Sequence, residues 1–271
     1  MTPDRTGLGQ LVGIGRTAEV YAYGDDRVVK LIRPGFPDWL GTAEAAAAEL
    51  VGGVVEAAPR FFGTIRIDGR IGLIYQRLDG PSMLDRLTEQ PWSVEGQARN
   101  FAAMHAAMHG RDGAGLPELK GRFREAIERS AEHLSLAAQE ASVRRLSALP
   151  DATAICHGDM HPGNIVITAT GPVVIDWLTA GAGPPAADVA RTLFLLRDGA
   201  IPPEVPRVQR WLITRLRRTF ASRYLTHYQR LAPVDTAQVA EWRLPVLAAR
   251  LDEGIEAERE HLLALIELEL R

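Results

Sequence analysis

One stretch in the middle of the chain carries residues that could move a phosphoryl group. Asp159 is followed five residues later by Asn164, and Asp176 comes twelve residues after Asn164. Phosphoryl transfer needs a carboxylate that positions the attacking hydroxyl and accepts its proton, together with oxygen ligands for Mg²⁺. We therefore expect Asp159 to act on the hydroxyl, and Asn164 and Asp176 to bind the metal ion.

The same stretch allows a different chemistry. His157, Asp159 and His161 alternate along the chain, and two histidines with a carboxylate can bind Zn²⁺ for hydrolysis. This zinc metallohydrolase hypothesis gives no role to Asn164 or Asp176. Phosphoryl transfer is therefore the favoured interpretation.

Lysine is scarce, which draws attention to Lys30. The chain has 31 basic residues, and only Lys30 and Lys120 among them are lysine. A surviving lysine suggests a site where the compact ammonium matters and the guanidinium does not. Lys30 lies in an apolar run and resembles the strand lysine of protein kinases, which contacts nucleotide phosphates and pairs with a helix glutamate. Glu44 is the expected partner, with Glu49 as the reserve.

Two glycines near the start could cover phosphates. Gly13 and Gly15 belong to the run Gly-Ile-Gly-Arg-Thr-Ala, which fits both the dinucleotide-binding pattern and a kinase-type glycine-rich loop. The dinucleotide pattern requires a helix directly afterwards. Alternating residues and a turn at 24–26 predict antiparallel strands instead, as in kinases. An ordinary hairpin, with glycines that supply positive φ, is the alternative.

The elements around these residues change in character near residue 78. Strands are predicted at 8–14, 20–23, 27–32, 61–67 and 71–75, with one helix at 42–51. Helices then dominate, at 94–109, 123–149, 186–196, 205–231 and 236–270, and β-like runs interrupt them at 154–167 and 172–176. The sequence thus predicts an α+β fold, with a small β-rich lobe at 1–77 and a larger, mostly helical lobe at 78–271.

The motifs taken together resemble a known family. The run His-Gly-Asp-Met-His-Pro-Gly-Asn at 157–164, with Ile-Asp-Trp at 175–177, is similar to the aminoglycoside phosphotransferase family. Its members are relatives of protein kinases that phosphorylate hydroxyls of small molecules. The resemblance implies a bilobal protein-kinase-like fold, in which the first lobe binds the nucleotide and the second is catalytic and binds the acceptor.

The resemblance also implies a set of site residues and cofactors. ATP, with GTP as the alternative, and Mg²⁺ are the expected cofactors. Asp159 is the implied catalytic base, and Asn164 and Asp176 are the implied magnesium ligands. The implied nucleotide-binding residues are Gly13, Gly15, Lys30, Glu44, Gln76 and Leu78. Choline, homoserine or sugar kinases on the same fold remain the alternative, because motifs for ATP chemistry do not identify the acceptor.

The charge and composition of the chain restrict the classes of partner that we expect it to bind. The net charge of −3 gives no general basic field for nucleic acid or an anionic membrane. The single cysteine, Cys156, and the absence of a signal peptide or membrane-spanning run predict a cytoplasmic protein. A predicted amphipathic helix at 247–270 carries Asp252, Glu253 and Glu256. The family resemblance implies that late helices line the acceptor cleft, so an amine-bearing alcohol is the expected acceptor. A solvated helix face is the alternative interpretation of these acidic residues.

Overall fold

The structure is a computed structural model, and it describes residues 7–199, 201, 205–232 and 234–271. The described chain divides into two units. The first unit contains the described residues of Met1–Asp85 together with Gly163–Thr179, and the second contains Arg86–Pro162 with the described residues of Ala180–Arg271. The division into a nucleotide-binding lobe at 1–77 and a catalytic lobe at 78–271 remains a prediction.

The helices and strands follow one another in an order that changes from strand-rich to helix-rich. They are β1 (Leu11–Ile14), β2 (Ala18–Tyr23), β3 (Arg27–Ile32), α1 (Trp39–Gly52), β4 (Phe61–Ile67), β5 (Arg70–Gln76), α2 (Met83–Glu89), α3 (Val94–His109), α4 (Leu119–Arg129), α5 (Leu136–Ala148), β6 (Ala154–Cys156), β7 (Ile165–Thr168), β8 (Gly171–Val174), β9 (Gly181–Gly183), α6 (Pro185–Arg197), α7 (Arg207–Leu231), α8 (Thr236–Glu241), α9 (Arg243–Arg250) and α10 (Glu256–Glu269). Among these described helices, none has the length and apolar character that crossing a bilayer requires.

The first unit is built on an antiparallel sheet. Its strands lie in the order β1-β2-β3-β5-β4. Both predicted hairpins are present, β2–β3 and β4–β5. Gly24 (φ +67°) and Gly69 (φ +76°) supply the left-handed turn residues, which glycine adopts without steric cost. Turn chemistry and strand alternation thus predict these two hairpins correctly, and the pairing of β3 with β5 is an addition from the structure.

The alternation along β3 decides where Lys30 points. Val29 and Leu31 are buried on one face of the sheet. Ile32 is buried on the other face, in a cluster that includes Ala48 of α1. Since successive side chains in a strand point to opposite faces, Lys30 lies on the same face as Ile32. That face is the one that α1 covers.

Helix α1 starts earlier than the sequence predicts. The sequence predicts that this helix begins at residue 42, but α1 begins at Trp39, with Asp38 as the preceding residue. The Thr42 hydroxyl instead donates to the Trp39 carbonyl, at 3.0 Å, inside the first turn. Threonine bonds to its own helix in this way as readily as it caps one. The three extra residues lengthen the helix that carries Glu44.

A further hairpin, β7–β8, belongs to the first unit. Val174 donates its backbone N–H to the Ala57 carbonyl at 2.7 Å, and Val166 bridges to Ser82. Gly80 is required where the chain meets this hairpin, because a Cβ there would lie 2.0 Å from the Ile167 carbonyl oxygen. Asn164 directly precedes β7. The hairpin therefore fixes the positions of the segments that flank it.

The second unit is mostly helical, as expected. Helix α3 packs along α7, where the rings of Phe101 and Tyr224 meet edge to face with centroids 5.0 Å apart. The short strands β6 and β9 pair antiparallel. Cys156 ends β6 and is fully buried.

The long helix predicted at 123–149 is two helices. Helix α4 ends at Arg129, a 3-10 turn covers Ser130–Glu132, and α5 starts after Ser135. The Ser135 hydroxyl accepts the Ala138 backbone N–H at 3.2 Å, which is an N-cap. The amphipathic pattern continues across this break, so periodicity alone does not detect it.

The helix predicted at 236–270 is also interrupted, and the expectation of one helix at 247–270 is wrong. The chain forms α8, α9 and α10, with a 3-10 turn at Leu251–Glu253. Gly254 has a left-handed backbone (φ +63°) and closes this turn, as glycines commonly do at helix ends. Glu253 and Glu256 therefore do not lie on one continuous helical face.

Candidate active site

Lys30 and Glu44 form an ion pair in the first unit. The Lys30 ammonium lies 2.8 Å from Oε1 and 2.7 Å from Oε2 of Glu44. The two side chains are only 14% and 2% exposed. The Tyr75 hydroxyl also donates to Glu44 Oε1 at 3.2 Å. Glu49, the reserve partner, is exposed on the same helix, so the lysine has one helix partner, Glu44.

The same ammonium contacts Asp176. Lys30 Nζ lies 3.0 Å from Asp176 Oδ1. Burial works to lower the pKa of Lys30, but the charges of Glu44 and Asp176 and their hydrogen bonds outweigh it, so the pKa is raised above its ordinary value. The lysine is therefore a permanent cation held between two carboxylates.

Asp176 has a strained backbone. Its φ is +66°, in the left-handed region, and Asp68 is the other described non-glycine residue with positive φ. Such strain costs of order 1–3 kcal/mol and is concentrated at functional sites. The Asp176 side chain is 44% exposed. A strained, accessible carboxylate next to a buried lysine is typical of a ligand-binding position.

Asn164 lies close to the segment that carries Asp176. The Asn164 carbonyl accepts the backbone N–H of Ile175 at 2.9 Å, at the open end of the β7–β8 hairpin. Asn164 is 8% exposed. An amide oxygen and a carboxylate are hard ligands that suit Mg²⁺. The side chains of Asn164 and Asp176 could therefore hold such an ion in the first unit.

The two early glycines join antiparallel strands. Gly13 pairs with Val20 across β1 and β2, and the Gly15 N–H donates to the Ala18 carbonyl at 2.8 Å. Strand β2 follows, so the helix that the dinucleotide pattern requires is not there. Neither glycine has a positive φ, and a Cβ at Gly13 would meet nothing within 4 Å. The backbone at Gly13 is therefore open to close approach.

Gln76 and Leu78 lie at the end of the sheet. Gln76 is the last residue of β5 and is exposed, and its backbone N–H donates to the Arg60 carbonyl at 2.9 Å. Leu78 is half-buried in the segment that follows. Both residues belong to the first unit, like Gly13, Gly15, Lys30 and Glu44. Their role in nucleotide binding remains a prediction.

Asp159 belongs to the second unit and is surrounded by positive or potentially positive groups. Its Oδ2 lies 3.6 Å from His161 Nε2, and its Oδ1 lies 4.0 Å from Arg191 Nη2. Its backbone N–H donates to His157 Nδ1 at 3.2 Å. Burial works to raise the pKa of Asp159, but the nearby His161 and the Arg191 charge hold it well below its usual range. Asp159 is therefore ionised and accepts hydrogen bonds.

A buried aspartate holds the loop that carries Asp159. Asp188 Oδ2 accepts the His157 backbone N–H at 2.6 Å, and Oδ1 accepts that of Gly158 at 2.9 Å. Asp188 is fully buried. Burial works to raise the pKa of Asp188, but neighbouring His105 and His109 and their hydrogen bonds lower it well below its usual value. This aspartate fixes the backbone immediately before Asp159.

Four ring side chains complete the surroundings of Asp188. His105 and His109 approach its Oδ2 through Nε2, at 3.0 and 3.2 Å. Their Nδ1 atoms face the hydroxyls of Tyr224, at 2.8 Å, and Tyr228, at 2.6 Å. An ionised carboxylate can only accept, so each Nε2 is assigned the hydrogen and each tyrosine donates to Nδ1.

This cluster bears on the zinc hypothesis. Within the described residues, His105, His109 and Asp188 are the group of metal-ligand type that gathers closely enough for one ion. Hydrogen bonds already satisfy their ring nitrogens. The triplet His157, Asp159 and His161 does not form such a group within the described residues. The geometry therefore gives no support to the metallohydrolase alternative at this triplet.

The predicted acceptor carboxylates each have an arginine partner. Asp252 Oδ2 lies 2.8 Å from Arg129 Nη2, and Glu256 Oε2 lies 2.6 Å from Arg259 Nη2. Glu253 contacts both Arg191 and Arg250. The acidic surface is thus largely neutralised by neighbouring arginines. The assignment of these residues to acceptor binding remains a prediction.

Sequence reasoning missed the partners that come from distant parts of the chain. Glu253 is 62 residues after Arg191, and Tyr224 is 119 residues after His105. The spacing of four residues between His105 and His109, and between Tyr224 and Tyr228, places each pair on one helix face. That shared spacing was the available signal for the cluster around Asp188.

Comparisons with known proteins agree with the motifs. Several solved structures share the fold. An aminoglycoside-3'-phosphotransferase of type VIII is 19% identical with a TM-score of 0.62, over 88% of this chain and 93% of that chain. A thermostable mutant of aminoglycoside phosphotransferase APH(4)-Ia, in complex with ADP and hygromycin B, is 14% identical with a TM-score of 0.67, over 97% and 92%. No curated protein matches the chain.

The structural likeness confirms the expected α+β, protein-kinase-like fold class. The sequence itself carries the family assignment, since the model of the phosphotransferase enzyme family matches residues 9–234. That span includes the glycines at 13 and 15, Lys30, and the run from Asp159 to Asp176. This chain belongs to the phosphotransferase enzyme family.

Proposed function

We propose that the chain transfers the γ-phosphoryl group of ATP, with GTP as the alternative donor, to a hydroxyl of a small molecule in the cytoplasm. The observation that carries this proposal is the Lys30 ammonium, 2.7 Å from Glu44 and 3.0 Å from Asp176. A buried lysine between a helix glutamate and a strained aspartate is the arrangement that positions nucleotide phosphates in kinases.

The first unit is proposed to bind the nucleotide. Lys30 would contact the phosphates while Glu44 keeps its ammonium in place. The segment that contains Gly13 and Gly15 would cover the phosphates, and the open space at Gly13 supports such an approach. The Gly15 N–H already donates to the Ala18 carbonyl, so Gly15 would shape this segment and not donate to a phosphate. Gln76 and Leu78 would contact the base at the end of β5.

Asn164 and Asp176 are proposed to hold Mg²⁺ through their side-chain oxygens. The ion would neutralise charge on the phosphates during transfer. The buried amide of Asn164 and the accessible carboxylate of Asp176 supply the hard oxygen ligands that this ion needs. Lys30 also compensates part of the Asp176 charge through its contact at 3.0 Å.

Asp159 is proposed to bind and orient the acceptor hydroxyl. Its low pKa makes it a weak base, so it accepts a hydrogen bond in the ground state. As the acceptor oxygen bonds to phosphorus and the bond to the nucleoside diphosphate oxygen breaks, the hydroxyl proton passes to Asp159. Asp188 supports this step because it fixes the backbone of His157 and Gly158. Orientation is therefore the larger part of the proposed contribution.

The proposed acceptor is an aminoglycoside-like or other amine-bearing alcohol. Solved relatives are described as complexes with hygromycin B, kanamycin or streptomycin. Asp252 and Glu256 are proposed as contacts for ammonium groups, whereas two buried arginines already engage Glu253. A choline, homoserine or sugar kinase is the alternative on the same fold.

An acceptor panel tests the proposal. Purified full-length protein is incubated with MgCl₂ and either ATP or GTP, and ADP or GDP release is recorded. The acceptors are kanamycin, streptomycin, hygromycin B, choline, homoserine and a neutral sugar, and Asp159→Asn is the control. We expect acceptor-dependent release that the variant loses. Release with no acceptor dependence, or equal release by the variant, would contradict the proposal.

A further inference from the structure

A row of alternating charges leads away from Asp159 within the second unit. Its members in order are Asp159, Arg191, Glu253, Arg250 and Glu258. Arg191 contacts Glu253. Arg250 Nη1 lies 2.6 Å from Glu253 Oε2, and Arg250 Nε lies 2.7 Å from Glu258 Oε2. Both arginines are buried. Direct contacts therefore link the segment that carries Glu253 and Glu258 to the loop that carries Asp159.

Arg191 lies between two carboxylates and contacts one of them more closely. Its Nε donates to the Gly158 carbonyl at 3.2 Å, next to Asp159. Its Nη2 is hydrogen-bonded to Glu253 but is 4.0 Å from Asp159 Oδ1. A guanidinium so close to an aspartate would ordinarily form a direct, often bidentate, ion pair with it. Glu253 competes for the same nitrogen.

The local structure fixes Glu253 in this position. It is the last residue of the 3-10 turn at Leu251–Glu253, which Gly254 closes with its left-handed backbone. Arg250 holds the second oxygen of Glu253 and is itself held by Glu258 and by the Phe194 ring, 5.8 Å away. Glu253 is thus a rigid acceptor for Arg191 instead of a mobile surface carboxylate.

We propose that Glu253 is a positioning residue that holds Arg191 away from a direct hydrogen bond to the Asp159 carboxylate. The Asp159 carboxylate then keeps an oxygen able to accept the acceptor hydroxyl. This inference rests on the proposed function, because it requires Asp159 to bind that hydroxyl. It assigns Glu253 a role in transfer instead of in acceptor binding. We expect that removal of the Glu253 charge allows the Arg191 guanidinium to form a hydrogen bond to the Asp159 carboxylate.

The first test is Glu253→Gln, assayed with ATP, MgCl₂ and the acceptor that gives the fastest ADP release in the panel. We expect kcat to fall about tenfold or more while the KM for ATP stays within about twofold. Glu269→Gln is the matched control. Glu269 pairs with Arg243 at 2.8 Å and is 24% exposed, against 26% for Glu253. The control should retain wild-type kcat.

The second test separates positioning from simple structural support. In Arg191→Gln the competing cation is removed, so the double variant Arg191→Gln, Glu253→Gln should turn over at least as fast as Glu253→Gln alone. A merely structural role predicts that the two losses multiply. If Glu253→Gln does not fold, as judged by thermal unfolding, Glu253→Asp replaces it. The shorter side chain should also lower kcat, and Arg191→Gln should rescue it.

The outcomes distinguish this inference from the function on which it rests. Wild-type protein without acceptor-dependent turnover overturns both. Active wild type, inactive Asp159→Asn and unchanged Glu253→Gln overturn the positioning role of Glu253 alone. Multiplied losses in the double variant also overturn it. A loss of kcat that Arg191→Gln rescues supports it.

Discussion

Lys30 and Asp159 have opposite charges, and in each case neighbouring groups hold the ionised form. Glu44 and Asp176 surround the ammonium of Lys30, which raises the pKa of the lysine despite its burial. His161 and Arg191 flank Asp159 and lower its pKa despite burial. Neither group changes charge near neutral pH. The proposed reaction therefore depends on where these two charges are held.

We predict that Lys30→Arg fails even though it keeps the charge. The guanidinium is larger and planar, and it cannot replace a compact ammonium between carboxylates at 2.7 and 3.0 Å. We expect a large rise in the KM for ATP or a large fall in kcat. The control is Lys120→Arg, because Lys120 binds the Leu149 carbonyl at 2.7 Å and Asp151 at 2.6 Å. Equal activity in both variants would show that the lysine is not required.

Asp176→Ala tests whether activity depends on a metal ion bound by Asp176. Activity should require Mg²⁺ or Mn²⁺ and be lost in this variant, because oxygen ligands select hard cations. Asp68→Ala is the control, since Asp68 also has a left-handed backbone (φ +50°) but lies in the β4–β5 turn. The measurement is the steady-state rate of both variants and the wild type over a titration of magnesium. Stoichiometric zinc in the purified protein, with rates insensitive to magnesium, contradicts the prediction.

At the scale of elements, local patterns predict some of the structure and miss the breaks. Helix α3 is predicted at its observed bounds, because apolar spacing and helix length agree there. The break before Ser135 depends on a single hydroxyl cap, and an apolar pattern that runs across it hides the cap. The break at Gly254 is similar. Periodicity records which face is buried, and it does not record where the axis changes direction.

The residues of the candidate site also divide into those that the sequence predicts and those that it misses. Asp159, Asn164 and Asp176 can be proposed from the sequence because they share a short stretch with motif spacing. Arg191 and Glu253 are 62 residues apart, and only tertiary packing brings them together. Glu253 was predicted to contact the acceptor because a continuous helix was assumed. With the helix broken at Gly254, the carboxylate turns to Arg191 and Arg250.

We predict opposite effects for two glycine-to-alanine changes. Gly254→Ala should lower the free energy of unfolding by about 1 kcal/mol, because alanine is strained in a left-handed backbone. Gly96→Ala should raise it by roughly 0.5–1 kcal/mol, since Gly96 is inside α3 and its added Cβ meets nothing within 4 Å. Denaturant unfolding measures both. A stabilising Gly254→Ala would contradict the assigned turn.

At the scale of the whole molecule, the cluster around Asp188 makes stability depend on pH. Burial, and then the proximity of His109, lowers the pKa of His105 from 6.5 to about 4. Between those pH values the unfolded chain binds a proton at His105 that the folded chain does not. Folding is therefore less favourable as the pH falls from about 6.5 to 4. This single group can account for a loss of up to about 3 kcal/mol.

We predict that wild-type protein loses stability over that interval and that His105→Gln loses less. The free energy of unfolding is measured by denaturant titration at several pH values. His133→Gln is the control, because His133 contacts Glu132 at 3.3 Å and is outside the cluster. Its pH dependence should follow the wild type. Parallel curves for wild type and His105→Gln would remove His105 as the cause.

The central claim is that phosphoryl transfer occurs and that Asp159 is required for it. The most direct measurement follows the phosphoryl group itself, with γ-labelled ATP, MgCl₂ and the best acceptor of the panel, and mass spectrometry of the acceptor. Wild type should place one labelled phosphoryl group on an acceptor hydroxyl. Asp159→Asn should do so about 10²–10⁴-fold more slowly while it binds ATP with nearly unchanged affinity. Label found only in inorganic phosphate, or an Asp159→Asn variant that keeps more than about a third of the wild-type rate, would contradict the account.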